Sequence, residues 1–155
     1  MKWNDLLRNV SRVTPNYNFG ASTNFSDLDV NYDIKRRVIV FSAEARSAKS
    51  GHKYSVKISF NKVGPTDGLT EDEIMQGYMP KPSLAENEVK VGCTCPSQLF
   101  RFDKADKANR ASIGRGLINY HRKTDRAPNN PHDLPGMCYH IIEFADYLQS
   151  QGFIH

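Results

Sequence analysis

Apolar residues alternate most clearly along Lys53–Asn61, where Tyr54, Val56, Ile58 and Phe60 share one side and Lys53, Ser55, Lys57 and Ser59 the other. A period of two is the mark of a strand with one buried and one wet face. The run Arg36–Arg46 carries Val38, Ile39, Val40 and Phe41, and Ala48-Lys49-Ser50-Gly51 lies between the two as a turn with its glycine. Together they predict an antiparallel hairpin. A third strand is expected over Glu88–Cys95, with Val89, Val91 and Cys93 alternating against Lys90, Gly92 and Thr94. The period then changes. From Cys138 to Gln149 the residues Ile141, Ile142, Phe144, Ala145 and Leu148 recur at helical spacing, with Gly152 after them as a stop. This helix is expected to cover the buried sheet face.

The flanking segments are less regular. Residues 3–10 place Trp3, Leu6, Leu7 and Val10 on one side of a short helix. Thr14–Asp33 is rich in Asn, Ser, Asp and Tyr without a clear period, and reads as an extended arm or a disordered stretch. Thr70 followed by Glu73 forms a capping box, so a short helix is expected near Thr70–Met75 between two loops. The fold class is therefore α+β: a small antiparallel sheet of three or more strands packed by a C-terminal helix. Residues 1–33 read as an amino-terminal helix and arm, and 34–155 as one domain with an insertion at 97–131.

Cysteine placement adds the chemistry. The chain has only three, Cys93 and Cys95 in Cys-Thr-Cys-Pro and Cys138 in Cys-Tyr-His with His140 two residues on. Two tight pairs, Cys-x-Cys and Cys-x-His, supply the three thiolates and one imidazole of a closed structural zinc site. Pro96 ends the strand after the first pair, and Pro135-Gly136 turns the chain before the second, which falls at a helix start where the dipole favours thiolates. Buried free thiols and a disulfide are the competing readings, although an odd cysteine count suits a disulfide framework poorly. His121 and His132, between the pairs, compete with His140 for the fourth position.

This arrangement resembles the SWIM-type zinc finger, Cys-x-Cys followed by a variable stretch and Cys-x-His, over roughly residues 86–149. The resemblance implies a first pair on a β-hairpin and a second on the following helix, with Cys93, Cys95, Cys138 and His140 as ligands. Here 42 residues separate the pairs, longer than the usual family spacer. The phrases Cys93-Thr-Cys-Pro-Ser-Gln-Leu-Phe-Arg-Phe102 and Leu134-Pro135-Gly136-Met137-Cys138-Tyr139-His140 also look like those of small proteins of tailed bacteriophages. That resemblance implies a virion component of the tail, neck or head-to-tail region, assembled in the bacterial cytoplasm beside other virion structural proteins.

Charge leaves a second class open. The chain has a net charge of +4, yet residues 97–131 alone hold eight basic residues against three Asp, a net of +5. Arg101, Lys104, Lys107 and Arg110 recur every three residues, which would align them on one side of a helix, and Arg115, Arg122, Lys123 and Arg126 follow. Such a run is either a solvated surface or a phosphate-binding face with Phe100, Phe102 or Tyr120 stacking on bases. Neighbouring subunits and nucleic acid are thus both expected partners. No apolar run is long enough to cross a membrane. The chain lacks Gly-x-Gly-x-x-Gly, a Walker loop, His-Glu-x-x-His, Gly-x-Ser-x-Gly and Pro-Cys-x-x-Cys, so no enzymatic activity and no small-molecule substrate are expected. A three-ligand site with water in place of His140 stays open on spacing alone.

Overall fold

In the computed structural model, residues 1–13, 23–48, 51–64, 72–73, 79–113, 130 and 132–155 are described. The expected hairpin is at its centre: β2 (Val38–Ser47) and β3 (Lys53–Asn61) pair antiparallel from Ile39↔Phe60 to Arg46↔Lys53. Ile39, Phe41, Ala43 and Ala45 of β2 and Val56, Ile58 and Phe60 of β3 are buried on one face, as the alternation requires. β4 (Glu88–Cys93) adds to β3 with Ile58↔Val91 and Val56↔Cys93 opposite each other.

A fourth strand stands where the sequence predicted an arm. β1 (Thr23–Asp33) pairs antiparallel with β2 and gives the sheet order β1-β2-β3-β4. Its register shifts between Ser26 and Asp29, and Asp27 there has a positive φ of 55°. That bulge puts two residues rather than one between Phe25 and Leu28, so the apolar side of Phe25, Leu28, Val30 and Tyr32 shows no even period in the sequence. The first part of the arm, 14–22, lies outside the described residues, as does the Thr70–Met75 helix except for Asp72 and Glu73, which are helical.

The helix α1 (Trp3–Val13) buries Trp3, Leu6 and Val10 in the same core as the sheet. It is tied down at both ends: the Val89 N–H donates to the Met1 carbonyl (2.8 Å), and the Asn9 side chain donates to the Pro135 carbonyl (2.9 Å). After β4 a π-helical turn, Gln98–Phe102, runs into a six-residue helix, α2 (Asp103–Ala108). The chain then returns beside β4, with the Val91 N–H bonded to Ala111 O (2.7 Å) and the Ile113 N–H to Val91 O (2.9 Å). The basic residues therefore do not share one helical stripe. Only Lys104 and Lys107 lie in α2, Arg101 sits in the π turn, and Arg110 follows the helix in a left-handed conformation.

The C-terminal helix, α3 (Tyr139–Ser150), closes the core with Ile141, Ile142, Phe144, Ala145 and Leu148, and Gly152 with φ 78° ends it. Phe25 of β1 lies 5.2 Å from the Phe144 ring and 5.3 Å from that of Tyr147, so the edge strand and this helix pack directly. Among the described residues no helix is long and apolar enough to cross a membrane.

Candidate metal centre

β4 ends at Cys93, the chain bends at Cys95 and enters helix at Pro96; the Thr94 N–H donates to Ser55 O (3.1 Å) and the Thr94 hydroxyl accepts from the Ser55 N–H (3.0 Å). The bend lets two cysteines that a straight strand would carry apart converge on one point. From the other side, Cys138 occupies the N-cap of α3 in an extended conformation and accepts the Ile142 N–H at its carbonyl. His140, two residues further along, reaches back.

All four side chains are buried, and their ligand atoms lie within 4.8 Å of one another. The His140 Nδ1 is 3.9 Å from both the Cys93 and the Cys138 Sγ. A tetrahedron with metal–sulfur and metal–nitrogen bonds of about 2.0–2.3 Å has edges of about 3.5–3.8 Å, so the cluster is close to the size a metal ion demands. The donor set fits as well, because three thiolates and an imidazole are soft or borderline ligands suited to zinc. The cysteines form no disulfide.

Electrostatics point the same way. Hydrogen bonds from Cys138 and Cys93 lower the Cys95 thiol below its ordinary range, helped by His140 and the Gln98 N–H despite burial. Cys93 is also relieved by Cys138, but its hydrogen bond to Cys95, burial and the Cys95 charge outweigh this and push it up to about 12. Burial, then hydrogen bonds to the other two sulfurs, raises Cys138 well above its usual value. Thiolates this close and this buried repel one another, and a cation is what would let the second and third thiols ionise.

The imidazole is held by rings rather than by a second hydrogen bond. Its centroid lies 4.0 Å from that of Tyr139 and 5.1 Å from that of Tyr54, and its buried Nε2 has no hydrogen-bond partner among the described residues. The Tyr139 hydroxyl is 3.2 Å from Ser47 Oγ, and burial raises its pKa. Glu143, whose carboxyl is pushed up by burial, accepts a hydrogen bond from the Thr23 hydroxyl on β1.

All four expected ligands, Cys93, Cys95, Cys138 and His140, are brought together. His132 is exposed and outside the cluster, while His121 lies outside the described residues. Of the basic residues, Lys104 and Arg110 are exposed and Arg101 and Lys107 half-buried; Arg115, Tyr120, Arg122, Lys123 and Arg126 lie outside the described residues. Two polar residues next to the ligands had no sequence signal. Gln98 and Asp106 are buried, with burial pushing the Asp106 carboxyl up to about 8 against the Gly136 N–H and the Gln98 amide, and Asp103 adding to the rise. In the sequence both look like surface residues of a charged insertion.

Comparison with protein-family models, with curated proteins and with solved structures finds no match to this chain.

Proposed function

We propose that the cluster holds one zinc ion as a closed structural staple and that the chain is a non-enzymatic binding component of a larger assembly. The observation that carries this reading is the convergence of four buried protein ligand atoms within 4.8 Å. Four protein ligands fill a tetrahedral ion and leave no position for substrate or activated water, which separates structural from catalytic zinc. The staple joins the end of β4 to the start of α3, so it makes one body of two segments far apart in the chain. The Cys-x-Cys and Cys-x-His pairs support a SWIM-type assignment.

The assembly in question is proposed to be a tailed-phage particle, with neighbouring virion proteins as partners. Support for this comes from the motif resemblance around Cys93–Phe102 and Leu134–His140. Elemental analysis of the purified protein is expected to find one zinc per chain, falling to a small fraction in Cys138→Ser. Co-sedimentation with intact particles through high salt is the expected behaviour of an assembly component. Salt-labile binding to short DNA or RNA, with a slope reporting several phosphates, would instead identify the basic segment as a nucleic-acid interface.

A further inference from the structure

Gln98 stands between the two ligand pairs and touches both. Its backbone N–H points at the Cys95 Sγ (3.4 Å), and its side-chain Oε1 accepts the Cys138 N–H (2.8 Å). Its Nε2 donates to Asp106 Oδ2 (2.8 Å), while Asp106 Oδ1 accepts the Gly136 N–H (2.7 Å). Gln98 is 2% exposed and Asp106 0%. The direction of the amide is dictated by Cys138: a backbone N–H can only donate, so the carbonyl must face Cys138, which leaves the NH₂ to face Asp106 Oδ2. The loop carrying Cys138 is held on its other side by Phe102, whose Cε1 would lie 2.6 Å from a Cβ at position 136. Only glycine allows that approach.

We propose that Gln98 and Asp106 are positioning residues of the metal centre, a buried amide–carboxylate bridge that sets the separation of Cys95 from Cys138. The inference rests on the cluster holding a metal ion. Outer partners of this kind orient ligands and typically change metal affinity by about 10–100-fold when removed. Neither residue touches the ion. Their effect passes through the Cys138 backbone and the Cys95 sulfur.

The bridge has a swap that tests it. Gln98→Glu leaves an acceptor for Cys138 but sets a second buried acid against Asp106, so that the pair either repels or must take up a proton in place of the amide N–H; Asp106→Asn leaves an acceptor for Gly136 but faces an NH₂ with an NH₂. When the two substitutions are combined, the carboxylate now at position 98 accepts from the amide now at position 106, and every hydrogen bond is restored with the central one reversed. Zinc affinity by chelator competition and the cobalt-substituted absorption spectrum would be measured for the four proteins, with the thermal stability of each metal-free form alongside. Each single variant is expected to lose about tenfold or more in affinity and the double variant to recover most of it. A purely structural pair would instead lower metal-free stability and leave affinity and spectrum unchanged, which would overturn the proposal, as would a double variant no better than the weaker single. Wild-type protein that takes up no stoichiometric metal would overturn the underlying zinc reading and the bridge with it. If Asp106→Asn does not fold, Gln98→Met removes the acceptor for Cys138 while keeping the N–H toward Cys95, and the same loss is expected; unchanged affinity there would also overturn the proposal.

Discussion

Three sulfurs gathered around one imidazole repel one another once more than one is ionised, and burial sharpens the effect. The pull of Cys138 and Cys93 favours a thiolate at Cys95, while Cys93, up to about 12, and Cys138 keep their protons. A bound metal ion would have to displace both. Over the neutral range each lies below its raised pKa and remains protonated in the metal-free protein, so about two thiol protons should leave per zinc bound, and apparent affinity should rise steeply with pH. Calorimetry in buffers of different ionisation enthalpy reads that proton count directly. Release of three thiol protons would mean that Cys95 holds its proton like an ordinary thiol.

The elements around the cluster are of unequal strength. β1, β2 and β3 pair antiparallel over long runs and present a buried face, whereas the π turn and α2 together span eleven residues, too few to be stable as isolated helix. This short piece is held by buried Phe102 and Ala105, by the Asn130 amide on the Arg101 carbonyl, and by the Gln98 and Asp106 contacts with Cys138, Gly136 and the Cys95 end of the cluster. Binding free energy of a structural ion is folding free energy for whatever it ties together. Chelation should therefore speed amide exchange at Gln98, Cys138 and Ile142 well before Phe41 and Ile58 lose protection. Uniform loosening of the whole sheet would show instead that the ion holds the entire fold.

One hydrophobic core runs from α1 through the sheet to α3, with Leu6, Phe41, Phe60 and Phe144 all fully buried. The amino-terminal helix belongs to it as much as the half that carries the cysteine–histidine cluster does, and Asn9 links it to Pro135 three residues before Cys138. Leu6→Ala in the metal-loaded protein should cost about 2–5 kcal/mol of unfolding free energy in a denaturant titration. A loss under about 1 kcal/mol would mean that α1 is a detachable appendage.

Local signals announced the β2–β3 hairpin, β4, α3 and the four residues of the candidate metal cluster. Alternation, helical period, a glycine turn and i,i+2 ligand pairs are all written over a few neighbouring residues. β1 was hidden because a bulge at Ser26–Asp29 offsets its alternation, and because its partner β2 rather than its own composition makes it a strand. The Gln98–Asp106 bridge could be known only from the folded chain. A polar side chain eight residues from one partner and forty from another becomes a buried hydrogen-bonding group when packing removes water from all three, and no spacing in the sequence encodes that event.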